Sequence, residues 1–441
     1  MKILFIIPEY IPHSGGGIST YYQHYIKAIK PHCERIKVIV GSGYIQDTTK
    51  FNHEGIEVEY LEPVLFKEYL QRFTKFDFLP EYRNNIAAAW AMWQQADSGN
   101  EFDIIECTDF GLGFIPWVIH HNKPVMTRLH GSSGQITMNE DITQEGLMSD
   151  FFRQTEMLLL PFCDYLITYS LSNQLFWNNI LNNKKVHYIP PVYSHIEKHI
   201  VSFSERDNNG LLTARVQKWK GAIELCKAMQ LLKNNISVKW IGRDTVYNDK
   251  LNTIGFLSAE FPNVWNKYII HNEAKPNDEI KQLQRKAKFG LVSSTWDMFN
   301  FTCIEFMASG TPIICSDGAG AVDLIEDNKN GFKYSANKID KLAECIDLVN
   351  NLSQSDYEKI ALAGIHTVDT LLSAEKLIPI NLEYYDKVIK QFVPSSSNTY
   401  TNSIYKPTDV KYLISNLLDT QPIKRLIKYL VKRIINKIKA V

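Results

Sequence analysis

Phe289-Gly-Leu-Val-Ser-Ser-Thr-Trp-Asp-Met-Phe-Asn-Phe-Thr-Cys-Ile-Glu-Phe-Met-Ala-Ser-Gly-Thr-Pro312 is the stretch on which the reading of this chain turns. The apolar run Phe289–Val292 reads as a strand, followed by a loop and then a helix that starts near Asn300 and ends at Gly310, a C′ glycine. Asn300 reads as the N-cap. That leaves the amides of Phe301, Thr302 and Cys303 aimed out of the helix end, a setting that favours a phosphate group. Asp297 lies in the loop and Glu305 about one turn into the helix, so the two carboxylates are placed to address different parts of one extended ligand. Either acid also suits an ordinary helix or loop surface.

The same strand–loop–helix unit recurs along the chain. In the first half, short apolar runs fall at Ile3–Ile7, Ile36–Val40, Asp103–Glu106, Pro124–Thr127, Tyr165–Thr168 and Val186–Ile189. In the second half they fall at Gly210–Thr213, Val238–Ile241, Tyr268–Ile270, Phe289–Val292 and Pro312–Cys315. Continuous rather than alternating hydrophobicity marks strands covered on both faces, hence parallel sheets. Two successive β/α sets predict two doubly wound domains, with ligands outside the carboxyl ends of the strands. The boundary is expected between Pro190-Pro191 and Asn208-Asn209-Gly210, which divides the chain into residues 1–196 and 197–376. Residues 393–407 read as a linker and 408–441 as a basic tail. The aromatic-rich stretch Glu59–Trp93 reads as packing inside the first domain.

Three further loops lie at strand ends. Arg215 and Lys220 follow the run Gly210–Thr213, and two cations there suit a diphosphate, Arg through its fork and Lys as a point charge. A solvated charged loop fits the same residues. Ser14-Gly-Gly-Gly17 lies between the first strand and a helix, where Gly16 and Gly17 permit close backbone approach to a ligand or serve a plain flexible turn. The pattern is not G-x-G-x-x-G, which speaks against a dinucleotide site. His130-Gly131 follows the run Pro124–Thr127, and only that position lifts the histidine above a structural one.

Composition sets the outer limits. At 441 residues, 45% hydrophobic and 22% charged, the chain is a folded protein of two or three domains, not a disordered, collagen-like or disulfide-scaffold sequence. No apolar run approaches the ~20 residues of a spanning helix, and MKILFIIPEYIP reads as a first strand instead of a signal peptide. Seven cysteines, none in a C-x-x-C pair, give no metal site and no disulfide framework.

With these loops placed, residues 1–390 resemble a family-four retaining glycosyltransferase of GT-B fold. The resemblance rests on Gly15-Gly16-Gly17 after strand one, Asp103-Ile-Ile-Glu106, Arg128-Leu-His130-Gly131 and Asp164 through Ser170. It also rests on Ala214-Arg215 with Lys220-Gly221, Asp297 with Glu305 for an E-x₇-E element, Gly310-Thr-Pro312, and Gly331. It implies two Rossmann-like domains facing across a cleft, the first on the acceptor side and completed by a helix crossing back near 377–392. It also implies roles. Arg215 and Lys220 would hold the donor diphosphate; Glu305 would accept from the ribose hydroxyls; Asp297 would meet the sugar. Amides from Met298, Phe299, Asn300, Phe301 and Thr302 would line sugar and phosphates, and His130 would steady the oxocarbenium-like transition state. Gly16 and Gly17 would leave room for phosphate and acceptor. The resemblance further implies a nucleotide diphosphate sugar as donor, with no further cofactor and no metal. The chain departs from the pattern at Asp297, one methylene shorter than Glu, at Ala214 for glycine, and at Pro190-Pro191-Val192.

From Ile423 the apolar residues keep i, i+3, i+4, i+7 order, while Pro422–Val441 holds seven basic residues and no acid. Without them, 41 basic residues face 48 acidic ones. The pattern fits a helix lying on an anionic membrane, with a docked or dimer-forming helix as the alternative and nucleic acid unsupported elsewhere. Together these features predict transfer of a sugar to a saccharide or lipid-linked saccharide in cell-surface polysaccharide synthesis, in the cytoplasm at the inner face of the plasma membrane. A storage-glucan or sucrose-type transferase, and a catalytically dead membrane-peripheral interaction protein, are the competing readings.

Overall fold

The computed structural model describes residues 1–12, 16–139, 146–181, 185–194, 200–232, 236–248, 250–395, 399–408 and 422–439. Its first half forms an eight-stranded sheet from β1 (Lys2–Ile7), β2 (Arg35–Val40), β3 (Lys50–His53), β4 (Ile56–Tyr60), β5 (Ile104–Thr108), β6 (Val125–Leu129), β7 (Tyr165–Thr168) and β8 (Val186–Tyr188). The order is β3-β4-β2-β1-β5-β6-β7-β8, parallel throughout except for the β3–β4 hairpin at the edge. The second half forms a six-stranded sheet from β9 (Asn209–Thr213), β10 (Ser237–Ile241), β11 (Ile269–Asn272), β12 (Phe289–Val292), β13 (Ile313–Ser316) and β14 (Phe332–Tyr334). Its order, β11-β10-β9-β12-β13-β14, is parallel throughout. Each order reverses beside its first strand, β1 or β9. Those are the points at which the loops leaving neighbouring strands diverge and open a crevice.

The strands are buried because both faces carry helices. Every residue of β5, β6, β12 and β13 is inaccessible, which accounts for their unbroken apolar character. Two charges break that rule. Glu106 on β5 and Arg128 on β6 are 0% and 1% exposed and pair through two bonds, Nε to Oε1 at 2.9 Å and Nη2 to Oε2 at 3.0 Å. Tyr22 donates to Glu106 at 2.9 Å, and Tyr385 donates to it as well. A buried ion pair is tolerated only when its remaining hydrogen-bonding capacity is met in this way.

Tyr385 belongs to the helix Ala374–Gln391, which follows the second sheet in sequence yet packs on the first. Its Asn381 accepts from Arg128 at 3.1 Å, and its Tyr385 hydroxyl takes that of Tyr25 at 2.9 Å. One apolar cluster accordingly runs through both domains, from Phe5, Tyr21 and Tyr169 to Phe299, Phe301 and Ile313. In the aromatic stretch Glu59–Trp93, Phe66, Tyr69, Phe73, Phe76, Tyr82 and Trp90 are buried.

Within 393–407, read from its polar run as a linker, Thr399–Tyr405 form a short helix. Its Tyr405 is buried, and the Tyr405 carbonyl takes the Trp90 indole N–H at 2.8 Å. One aromatic anchor thus draws a polar segment onto the first domain. The basic segment forms the helix Ile423–Lys439; the rest of the tail before it, residues 409–421, lies outside the described residues. All seven cysteines are free.

Candidate active site between the two domains

The loop after β12 is held from both sides. Ser293 donates its hydroxyl to the Lys220 carbonyl at 2.8 Å, and Thr295 gives its N–H to the Trp219 carbonyl at 2.9 Å. A Cβ on Gly221 would lie 1.7 Å from the Ser293 carbonyl, and its φ of +78° is one that side chains avoid. The turn Lys218–Lys220 is therefore clamped against this loop. Beyond the loop, the helix Phe301–Ala308 lies over β12 because Phe306 occupies the space a Gly290 side chain would fill. Thr302 ties its first turn to the Thr213 carbonyl at the end of β9, 3.2 Å away. It closes on a Schellman motif, Thr311 N–H to Phe306 and Gly310 N–H to Met307, with Gly310 at φ +65°.

Asn300 does not cap this helix. Its backbone stands at φ +81°, no side-chain cap bond forms, and its Nδ2 turns back to Asp297 Oδ2 at 2.9 Å. The same Oδ2 receives Lys220 Nζ at 2.5 Å. Cys303, expected to have a free amide, donates instead to the Asn300 carbonyl at 3.2 Å. The consequence lies one step upstream. Among the described residues, the five successive N–H groups of Met298, Phe299, Asn300, Phe301 and Thr302 meet no acceptor. A consecutive run of unpaired donors is an anion-binding backbone.

Glu305, one turn further, is half-buried and takes the Gln284 amide at 2.9 Å; burial pushes its carboxyl above the usual carboxylate range. Arg215, two residues past Thr213, is exposed and holds no hydrogen bond or ion pair among the described residues. Trp219 and Trp296 stack beside this group at 5.1 Å, with the Lys220 ammonium 4.6 Å over the Trp219 ring. Of the two cations and two acids singled out in the sequence, Lys220 and Asp297 are in direct contact, Arg215 follows the neighbouring strand β9, and Glu305 lies in the helix that leaves the β12 loop.

The first domain presents its own strand ends to that loop. A Cβ on Gly17 would sit 3.6 Å from the Phe301 ring, and one on Gly131 3.4 Å from Met298 and 3.6 Å from Trp296. Gly16 serves a neighbour: its missing Cβ leaves the space taken by the Glu9 carboxylate, whose oxygens would lie 2.6 and 2.9 Å away. Glu9 follows β1 and feels the Arg215 charge from the opposite domain, while burial raises its pKa. Ser14 and Gly15 lie outside the described residues.

His130 is buried among Tyr21, Tyr22 and Tyr169, with ring centroids 5.1–5.2 Å away. Burial, with Arg128 nearby, holds its imidazole well below the ordinary value, so the ring is neutral at pH 7. Nδ1 bonds to the Tyr169 hydroxyl, and Nε2 is buried with no partner. Its backbone N–H is held at 2.8 Å by Asp109, whose carboxyl burial raises to about 7. The other motif acids act within the sheet: Asp103 takes the Lys2 N–H at 2.7 Å and Asp164 the Val125 N–H at 2.8 Å. Among the described residues no group of three or more His, Cys, Asp or Glu is arranged to hold a metal ion.

Glu9, Asp109 and Tyr169 had not been singled out from the sequence, and Asn300 had been given a different side-chain role, as a cap. Glu9 carried a usable signal, since it lies two residues past a strand's carboxyl end, as Arg215 does. Asp109 and Tyr169 act through contacts between segments distant in sequence, both with His130.

Residues 196–364 match the family model for Glycosyl transferases group 1. Over 412 residues the chain is 21% identical to an uncharacterized glycosyltransferase of Methanocaldococcus jannaschii, covering 83% of this chain and 96% of that protein. Among solved structures it is similar to sucrose-phosphate synthase from Thermosynechococcus elongatus, at a TM-score of 0.66 and 14% identity over 88% of this chain and all 100% of that one. It is similar also to Anabaena HepE in complex with UDP-glucose, at 0.62 and 17% over 88% and 100%. The trehalose-6-phosphate synthase OtsA matches at 0.63 and 14% over 90% and 100%. The chain thus has the GT-B fold expected from its sequence, two parallel-sheet α/β domains followed by C-terminal helices, and its second domain matches the group 1 glycosyl transferases.

Proposed function

We propose that this chain is a retaining glycosyltransferase that moves a sugar from a nucleotide diphosphate sugar to a saccharide acceptor, in its finest form a lipid-linked saccharide of a cell-surface polysaccharide. The observation that carries the reading is the run of unpaired amides from Met298 to Thr302 beside Lys220, with Gly131, the residue after His130, packed against Met298 from the other domain. Positive charge and oriented N–H groups of this kind stabilise a departing diphosphate as charge develops on it. Arg215 and Lys220 neutralise the leaving group; Glu305 accepts from the ribose; Asp297 meets the sugar; the unpaired Nε2 of His130 bonds a sugar hydroxyl. On this reading the chain needs no cofactor and no metal beyond the donor itself.

Sucrose-type and storage-type transfer is the alternative to set against this. Glu9 favours a neutral acceptor hydroxyl over a phosphorylated sugar, because it sets a carboxylate on the acceptor-side wall. Thermal unfolding against a panel of nucleotide sugars tests the reading at low effort. The right donor at a hundredfold excess over Kd adds about 2.7 kcal/mol. Slow hydrolysis of that donor without acceptor, lost in Glu305→Ala and Lys220→Ala, is the expected result. A panel with no stabilising nucleotide sugar and no hydrolysis would leave the dead-fold alternative standing.

A further inference from the structure

The helix Ile423–Lys439 has a face that nothing in the described molecule covers. Ile423, Ile427, Leu430, Val431, Ile434, Ile435 and Ile438 are 46–75% exposed, and only Leu426 is half-buried. Among the described residues, no hydrogen bond or ion pair joins this helix to either domain. The helix Gln354–Leu371, of similar length, buries Tyr357, Ile360, Ala361, Gly364 and Val368.

At 100° per residue, the apolar side chains Ile423, Leu426, Ile427, Leu430, Val431, Ile434, Ile435 and Ile438 fall within an arc of about 180°. Arg425, Lys428 and Lys432 lie on the opposite face, Arg433 just outside the arc, and Lys424 just inside its far edge, where a long stem lets its ammonium reach the interface. No acid lies anywhere from Pro422 onward, and the remaining chain carries 41 basic against 48 acidic residues.

We infer that this helix docks on an anionic lipid bilayer, apolar face in the acyl boundary and cations among the headgroups. Charge selects this occupant over the others. A second copy would bring two cation-lined helices together with no acid to pair them. A nucleic acid would take the charged face and leave the apolar one in water. An anionic membrane is the partner that engages both. No described helix is long and apolar enough to cross a membrane, so this is attachment along the surface. With the rest of the chain net acidic, such a surface repels the body and draws only the tail. The inference stands on the helix alone and holds whether or not the cleft transfers sugar; where both hold, the acceptor is met at that surface.

Sedimentation of the full chain with vesicles tests it. Phosphatidylcholine mixed with phosphatidylglycerol should carry the protein down, phosphatidylcholine alone should not, and deletion of residues 408–441 should abolish binding. Neutralising two cations, Lys428→Gln with Lys432→Gln, should weaken partitioning about 30-fold. The pair Ile427→Asn with Ile434→Asn keeps every charge and should also abolish it, with the thermal unfolding of the two domains unchanged. If that pair still binds anionic vesicles as tightly as the native chain, the contact is a general polyanion effect and the inference falls. It falls equally if the native chain ignores the vesicles and forms a concentration-dependent dimer.

Discussion

Asn300 donates its side-chain amide to Asp297 at 2.9 Å from a backbone held at φ +81°. Few residues rest in that conformation, asparagine among the more tolerant and glycine without strain. The arrangement trades local backbone ease for an oriented carboxylate, because Asp297 Oδ2 is fixed jointly by Asn300 and Lys220. Replacing Asn300 should therefore separate stability from activity. Asn300→Gly is expected to unfold at the same temperature as the native chain or higher, while donor hydrolysis falls by a factor on the order of ten to a hundred, the worth of a hydrogen bond to a charged group. Asn300→Ala should lose both. Melting curves and hydrolysis rates for the two variants check this; an Asn300→Gly enzyme with native activity would mean the amide does not position Asp297.

Arg215 and Lys220 should respond differently to removal, because one is unattached and the other is built in. Arg215 is exposed and without a partner among the described residues, so Arg215→Ala should leave the melting temperature unchanged. Lys220 is only 14% exposed and bonded to Asp297, and Lys220→Ala should lower the melting temperature as well. Calorimetric titration with the nucleoside diphosphate of the stabilising donor and with its bare nucleoside separates the roles. Each variant should weaken the diphosphate by about tenfold or more and leave the nucleoside alone, since only the diphosphate meets the cations. A chelator in the assay should leave donor hydrolysis unchanged.

Much of this was legible in the sequence, for a definite reason. Buried parallel strands need unbroken apolar runs, and Phe289–Val292 or Ile3–Ile7 advertise themselves by composition. The Schellman end at Gly310 was legible because a left-handed C′ residue calls for glycine. Asn300 was read as a cap from its residue type, and type alone cannot reveal that its amide finds a carboxylate three residues back. Glu106 and Arg128 looked like motif residues. Their hydrogen bonds to Tyr22 and to Asn381, 253 residues beyond Arg128, reveal a buried clamp for the crossing-back helix. Tyr405 was hidden in a polar segment for the same reason: its partner, Trp90, lies 315 residues earlier.

Two glycines of the cleft should fail in opposite ways when a methyl group is added. Gly221→Ala would drive a Cβ to 1.7 Å from the Ser293 carbonyl at φ +78°, and neither that backbone nor the strand behind it can yield. A loss of several kcal/mol, or no folded protein, is expected. The nearest described atoms that Gly16→Ala would meet are at the end of the Glu9 side chain, at 2.6 Å, which can rotate away. Its stability should change by less than about 1 kcal/mol. Transfer to the acceptor should fall, because the Glu9 carboxylate is displaced from the wall. Denaturant titrations and transfer rates distinguish the two; equal loss of stability in both would contradict the assignment of Gly16 to Glu9.

Asp109 gives the site a pH signature. Burial raises its carboxyl to about 7, against the pull of N–H groups from His130 and Phe110, from an ordinary value of 3.8. The native state therefore holds a proton that the unfolded chain releases between these values. The stabilisation is complete below pH 4 and is lost as pH rises through 7. Asp109→Asn keeps an oxygen for the His130 N–H and removes the titration. Relative to the native chain, the variant should gain stability between pH 4 and pH 8, by up to about 4 kcal/mol. Part of that gain comes through Glu156, likewise raised by burial, to about 8, with Asp109 adding to the rise. Unfolding free energies of both proteins at the two pH values give the double difference directly. A difference that stays flat would mean Asp109 is ionised in the folded protein, and that the loop carrying His130 is held by a carboxylate, not by a neutral acid.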